Sequence, residues 1–202
     1  MLLDLPLADA SLQMDPGWLP ASRADALMAE LREGIDWEVH RIRMFGRMVD
    51  SPRLSSWIGD PGAGYVYSGT RFEPRPWHPA LLQLRRELQS LLGIEFNSVL
   101  ANRYREGRDA MGWHSDDERE LGACPVIASI SLGATRRFAF KHRRDPGRKL
   151  AIDLPHGSLL VMRGDTQANY RHALPRTARA VPDRINLTFR RIHAGSPGSG
   201  LA

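Results

Sequence analysis

Arg184-Ile185-Asn186-Leu187-Thr188-Phe189-Arg190 alternates polar and apolar side chains without a break. Successive side chains of an extended strand point to opposite faces, so Ile185, Leu187 and Phe189 share one side and Arg184, Asn186, Thr188 and Arg190 the other. The apolar side has to pack into a core. The polar side is unusual for a core strand unless it lines a pocket that holds an anion. The two arginines stand about 20 Å apart at roughly 3.3 Å per residue, and their long side chains can converge on the two carboxylates of a dicarboxylate. Taken alone, the segment also fits an amphipathic strand with a solvated face.

Upstream of that strand, from about residue 96, short apolar runs separated by Gly, Pro and charged turns predict further strands over 97–104, 127–131, 137–141, 150–154 and 158–162, with the last at 184–192. Strands at this spacing suggest a sandwich or barrel. Two helices precede them. One is expected over about 21–33, with Leu27, Met28 and Leu31 on its apolar side. The other begins at Pro79 and stops near Gly93, with Leu81, Leu84, Leu88, Leu91 and Leu92 on one face. The expected fold class is therefore mostly β with flanking helices, the helices covering one outer face of the β core.

The chain has 202 residues, enough for one domain with a sizeable core. We expect that domain over 1–194 and a frayed tail over 195–202, which is mostly Gly, Ser, Pro and Ala. No apolar run approaches the roughly 20 residues of a membrane span, and the first residues lack a secretory pattern. A single cysteine, Cys124, excludes an internal disulfide. These features predict a cytoplasmic protein with no membrane association. Net charge is +5, carried by 26 Arg and only 2 Lys. Such a surface suits a polyanion partner, although arginine usage can also reflect genome composition.

The sharpest local signal is Trp113-His114-Ser115-Asp116. His114 and Asp116 lie two residues apart, so on an extended segment both point to one side and can bind one metal. His172 is the best candidate for a third ligand. Two His and one carboxylate on one face of an ion leave positions open for a chelating cosubstrate and O2, the arrangement that suits Fe(II). Alone, His-X-Asp is a weak signal; His172 standing only 12 residues before Arg184 strengthens both readings. Asn102 and Tyr104 share a face of the strand expected over 97–104 and can hydrogen-bond a carboxylate without adding charge. His40, His78, His142, His156 and His193 have no such partner, and surface or structural roles are expected for them.

Asn102-Arg103-Tyr104, His114-Ser115-Asp116-Asp117-Glu118, Ile130-Ser131-Leu132-Gly133-Ala134, His172 and the strand from Arg184 to Arg190 occur in an order and spacing that resembles the AlkB family of nucleic-acid dealkylases. The likeness runs from about residue 44 to 192 and is nearest to the subgroup containing the human DNA-repair homologues two and three. It implies a double-stranded β-helix (jelly-roll) core over about 96–192 and an N-terminal nucleotide-recognition lid over about 36–75. It implies His114, Asp116 and His172 as iron ligands, and Asn102, Tyr104, Arg184, Asn186 and Arg190 around 2-oxoglutarate. The implied reaction is oxidative dealkylation of bases such as 1-methyladenine and 3-methylcytosine in DNA, or RNA. It releases formaldehyde while 2-oxoglutarate and O2 become succinate and CO2.

The resemblance also orders the substrate side. Glu118 would face the flipped base, where a carboxylate favours a cationic lesion over a neutral base. Tyr65, Tyr67 and Ser68 would belong to the lid, the aromatic pair offering a stacking surface. Phe45, in Met44-Phe45-Gly46 between Arg41, Arg43 and Arg47, would be a finger filling the gap left by the flipped base. Between Arg136 and Lys149 stand seven cations against one acid, in what reads as a hairpin with its turn at 142–147. Arg136, Arg137, Lys141, Arg143 and Arg144, with Arg176 and Arg179, would contact phosphates without reading sequence. The partner implied is alkylated DNA, or RNA, met by a monomer. The alternatives are the same dioxygenase chemistry on RNA, protein or a small molecule, and a non-catalytic β-domain that only binds nucleic acid.

Overall fold

A computed structural model describes residues 1–44, 47–67 and 70–193, and side chains outside 41–48 and 65–72. The tail expected over 195–202 therefore lies outside the described residues, as do Phe45 and Ser68 and the side chains of Tyr65 and Tyr67.

In chain order the elements are β1 (Leu3–Asp4), β2 (Ser11–Asp15), α1 (Ala21–Gly34), β3 (Arg41–Met44), β4 (Arg47–Asp50), β5 (Leu54–Gly59), β6 (Tyr65–Tyr67) and β7 (Thr70–Phe72). They continue with α2 (Pro79–Leu92), β8 (Ser98–Tyr104), β9 (Met111–His114), β10 (Ile127–Gly133), β11 (Arg136–His142) and β12 (Lys149–Leu154). The last are β13 (Leu159–Arg163), α3 (Thr166–Asn169), β14 (Tyr170–Leu174) and β15 (Arg184–Arg190). The protein is mostly β with few helices.

Seven strands form one sheet in the order β1-β2-β13-β10-β15-β8-β5, and four form a second in the order β12-β11-β14-β9. All of these pairings are antiparallel. The two sheets meet through Leu12, Ile127, Leu160 and Met162 of the larger one and Phe140, Leu154 and Tyr170 of the smaller one, an arrangement that fits a jelly roll. β3–β4 and β6–β7 are separate two-stranded ribbons.

The helices cover the other face of the large sheet. Pro79 starts α2 at a position where its missing N–H is not needed, and the His78 ring accepts from the Ala80 amide. Gly93, at φ 66°, ends it. The buried side of α2 (Leu81, Leu84, Leu88) and of α1 (Ala24, Leu27, Leu31) packs on Ile130 and Leu132 of β10, Val99 and Ala101 of β8, and Ile185, Leu187 and Phe189 of β15. The apolar side of β15 thus goes to the helices. Its polar side is left facing the small sheet.

Candidate active site

β15 is central in the large sheet and its register arranges the polar side into rows. Asn186 pairs with Asn102 of β8 and Ser131 of β10, Arg184 with Tyr104 and Gly133, and Arg190 with Ser98. The cleft between the sheets is lined from this side by Asn102, Tyr104, Arg184, Asn186, Thr188 and Arg190, and from the other by His114, Phe138 and His172.

His114 closes β9 and His172 sits mid-β14; the register places them directly opposite each other. Their Nε2 atoms face each other at 3.1 Å, and Asp116 Oδ2 lies 3.6 Å from His172 Nε2. One ligand atom from each of the three residues falls within 4.8 Å of the others. The His114 Nδ1 contact to Gly112 O at 2.9 Å assigns the ring proton to Nδ1 and leaves the Nε2 lone pair facing the cluster. The His172 ring stands against Phe138 and Phe140, with centroids 5.2 and 6.0 Å away. Ser115, between the two ligands of the loop, donates to Tyr170 O, and the Asp116 amide donates to Gln167 Oε1. These bonds pin the His114–Asp116 segment to α3 and β14.

The electrostatics favour a cation here. Burial holds both imidazoles below their ordinary range, His114 downward and His172 to about 3, the latter helped by its histidine neighbour. Burial opposes ionisation of Asp116, but the Arg190 guanidinium, 2.5 Å from Oδ1, and the two rings overcome it and hold the carboxyl low. At neutral pH the set is two neutral imidazoles and one carboxylate, the form in which these groups ligate metal. Two nitrogens each about 2.1 Å from one ion on adjacent octahedral corners stand about 3.0 Å apart. The observed 3.1 Å matches. The donor set therefore fits a divalent ion such as Fe(II).

The anion side also fits a dicarboxylate. Arg184 is 1% exposed; its Nη2 donates to Ser131 Oγ at 2.9 Å, while Nε and Nη1 are buried with no hydrogen-bond partner among the described residues. Its guanidinium lies over the Tyr104 ring at 5.3 Å, and burial pushes its pKa down to about 10. Asn102 Oδ1 accepts from buried Arg53 at 2.7 Å, which leaves its amide N–H groups for a carboxylate. Asn186 lines the cleft, but its amide donates to Ser129 Oγ and Ile130 O and accepts from Thr188. It braces the sheet wall and has no spare donor.

The structure corrects one expected phosphate contact and redirects another. Arg136 is 4% exposed and donates to the carbonyls of Glu106, Asp109 and Pro175. It stitches loops together, and its guanidinium is taken up by carbonyl oxygens instead of being offered to a phosphate. Arg143 is engaged by Asp117 and by Ser115 Oγ, beside the metal cluster. Arg137, Arg176 and Arg179 line a separate groove of about 560 Å³, and Lys141 lies on the outer face of the small sheet; Arg144 is exposed in the hairpin turn. Glu118 is half-buried ahead of the 3-10 turn Arg119–Leu121, outside the residues lining the cleft. Sequence reasoning missed Ser129, Ser131, Gln167 and Arg53. The two serines alternate within Ile127–Leu132 and were legible as a polar face. Gln167 and Arg53 carry no such signal. His78, His142 and His156 have structural roles, each ring accepting from a backbone amide.

The profile of the 2OG-Fe(II) oxygenase superfamily matches residues 11–190. The chain is 38% identical over 193 residues to bovine (Bos taurus) alpha-ketoglutarate-dependent dioxygenase alkB homolog 3, covering 91% of this chain and 67% of the relative. It is 39% identical over 181 residues to human (Homo sapiens) DNA oxidative demethylase ALKBH2, covering 85% and 69%. The solved structure of OsALKBH1 superposes with a TM-score of 0.65 at 17% identity, over 89% of this chain and 97% of that one, a likeness of fold.

Proposed function

This chain belongs to the 2OG-Fe(II) oxygenase superfamily, and from that premise we propose that it removes alkyl groups from N-alkylated bases, 1-methyladenine and 3-methylcytosine, in DNA. It is an Fe(II)- and 2-oxoglutarate-dependent dioxygenase. One observation carries the reading: a His-Asp-His cluster within 4.8 Å, its Asp116 and His172 buried and His114 partly so, faces a strand whose polar side holds two buried arginines.

Bound Fe(II), with 2-oxoglutarate and O2, supplies hydroxylation of the N-alkyl carbon; the hydroxymethyl product then releases formaldehyde and free base, and succinate and CO2 leave. His114, Asp116 and His172 would hold the metal. Arg184, with Tyr104 beneath its guanidinium, would take one carboxylate of 2-oxoglutarate as a charge-assisted pair. Arg190 already bonds Asp116, so it would orient that ligand while closing the near end of the cosubstrate pocket. Asn102, aimed by Arg53, would donate to a carboxylate without adding charge. The apolar wall of Phe138, Leu154 and Leu174 would exclude water from the reacting carbon.

We also propose a jelly-roll domain over 1–194 with a nucleotide-recognition lid over about 36–75, in which Phe45, Tyr65, Tyr67 and Ser68 meet the nucleic acid, with Glu118 near the extruded base. Arg137, Lys141, Arg144, Arg176 and Arg179 would steer phosphates. Among the described residues no helix is long and apolar enough to cross a membrane. We propose a monomer in a reducing cytoplasm, where the exposed thiol of Cys124 would stay reduced.

The test is to incubate the protein with Fe(II), ascorbate, 2-oxoglutarate and a 1-methyladenine oligonucleotide, then weigh the oligonucleotide. Loss of one methyl mass that needs 2-oxoglutarate and disappears in His114→Ala is the expected result. Succinate formation with no mass change would retain the dioxygenase and reject the substrate.

A further inference from the structure

The outer face of the small sheet carries a pattern that the metal cleft does not use. Register sets Lys149 of β12 opposite Lys141 of β11, and Lys141 opposite Arg171 of β14. The next residues in register point inward, Phe140 into the core between the sheets and His172 into the cleft, so these three cations point outward. Strands about 4.8 Å apart place the whole row within about 10 Å. Like charges directly opposite on neighbouring strands are destabilising. No acid pairs with any of the three among the described residues; Asp153, on the same face of β12, lies 4.0 Å from Arg137, and Asp117 is engaged by Arg143. Among the described residues the row has no acid to offset its mutual repulsion, and an anion lying across it would.

Two further features shape what that anion is. Ala151, Ala139 and Ala173 are aligned across the same three strands two residues along; Ala173 is buried, and the methyl groups of Ala151 and Ala139 form a floor beside the cations. At the edge of the sheet Trp113 is 44% exposed, with Lys141 Nζ 4.3 Å from its ring centroid. Trp113, Lys141, Lys149, Arg171 and the alanines Ala139 and Ala151 line one groove of about 780 Å³. A flat aromatic, a floor of small side chains and a file of cations with no acid partner among the described residues suit a strand of phosphates with an unstacked base.

We propose that this outer groove binds single-stranded nucleic acid flanking the target base, with phosphates along Lys149, Lys141 and Arg171 and one base stacked on Trp113. Trp113 and His114 are consecutive on β9, an edge strand, so their side chains face opposite sides of the sheet. A chain whose damaged base enters the metal cleft has only to cross that edge to reach the groove. The described lining is mostly cations and small or apolar side chains, and His142 and Arg143 are engaged by the hairpin turn and by Ser115 and Asp117, so binding is expected to be indifferent to sequence. The inference rests on the reading that the enzyme acts on nucleic acid, and it assigns a site beyond the cleft.

The experiment measures anisotropy of a fluorescent, unmethylated oligothymidylate with the full-length protein over a salt series, for wild type, Lys149→Ala and Trp113→Ala. Circular dichroism and Co(II) absorption confirm that each variant is folded and keeps its metal cluster. Lys149→Ala is expected to weaken binding several-fold and to flatten the slope of log affinity on log salt by about 0.7, one phosphate contact on a single strand. Trp113→Ala is expected to weaken it about tenfold or more, with the salt slope unchanged. If wild type does not bind the oligonucleotide, the nucleic-acid reading itself fails. If it binds and both variants bind equally well, this groove is not the site. A loss with Lys149→Ala alone marks a general polyanion patch and overturns the stacking role of Trp113. If Trp113→Ala does not fold, Lys141→Ala replaces it, and an unchanged salt slope there sinks the proposal.

Discussion

Replacing Arg184 with Met should make the ligand-free protein more stable and the cosubstrate-loaded protein less so. Arg184 is 1% exposed, makes one side-chain hydrogen bond, to Ser131, and leaves two buried donors unsatisfied. Burial lowers its pKa to about 10, a penalty on the charged form of about 3 kcal/mol. Exchanging a buried charge for an apolar side chain of similar length is often stabilising by about 1 to 4 kcal/mol. Loss of the bond to Ser131 takes back about 1.5 kcal/mol or more. Setting the relieved charge penalty of about 3 kcal/mol against that loss leaves a net gain of about 1 to 2 kcal/mol, which for a domain of this size raises Tm by about 2 to 8 °C. Cosubstrate reverses the order. At a hundredfold excess over its Kd it stabilises wild type by about 2.7 kcal/mol, whereas the variant lacks the cation that binds it. Thermal unfolding of both proteins, with and without Mn(II) and 2-oxoglutarate, gives four numbers that must cross. A ligand-free variant less stable than wild type by 1 kcal/mol or more would refute the reasoning, because Arg184 would then be a structural residue. So would a variant that keeps the full cosubstrate shift.

Other outcomes follow from the same geometry. His172→Ala should abolish turnover and the Co(II) spectrum while circular dichroism stays native; turnover within tenfold of wild type would remove His172 from the metal set. Phe45→Ala should slow repair of duplex more than of single strands, measured as kcat/KM on matched oligonucleotides, and equal losses would dismiss the finger. Gly157 sits at φ +77°, where an added Cβ would meet Leu19 O at 2.5 Å; Gly157→Ala should cost about 2 to 4 kcal/mol in urea unfolding. The Arg23–Glu87 pair links α1 to α2, and the hydrogen bond from Arg23 holds Glu87 below its ordinary 4.5. A depressed carboxyl contributes its stability above the unfolded value and loses it as pH falls through the folded one. Wild type should therefore lose about 0.5 to 1 kcal/mol relative to Glu87→Gln below pH 4.5. Parallel stability curves would leave the pair without effect.

Much of this molecule was legible in advance, and the gaps have physical causes. Pro79 and Gly93 bracket α2 because both termini carry backbone signals that need no tertiary context. β15 was readable because its two faces have opposite chemistry over seven residues. β14 was not assigned as a strand, although Tyr170, His172 and Leu174 are buried and alternate with Arg171; five residues are too few to stand out. β2 escaped for the same reason, its signal being only Leu12 and Met14. In the site, residues with distinctive spacing (His114, Asp116, Arg184, Arg190) were found, and those that act through a single long-range bond, Arg53 and Gln167, were not. Arg136 was misplaced because charge alone does not say whether a guanidinium meets phosphate or carbonyl oxygen. Its burial is decided by loops around 107 and 175 that come together only in three dimensions.

β15 has a consequence for how such an enzyme can diversify. Six of its seven residues are buried, and both of its edges are hydrogen-bonded, to β8 and β10. A mutation that reshapes the cosubstrate wall therefore also strains the helix-packed side of the same strand, and selection on chemistry and selection on foldability act on one segment. Novelty has to enter elsewhere, through segments hung on the margins of the sheets: the two ribbons between α1 and α2, and the β11–β12 hairpin. Lineages built on this frame should retain their oxidant and exchange their clientele.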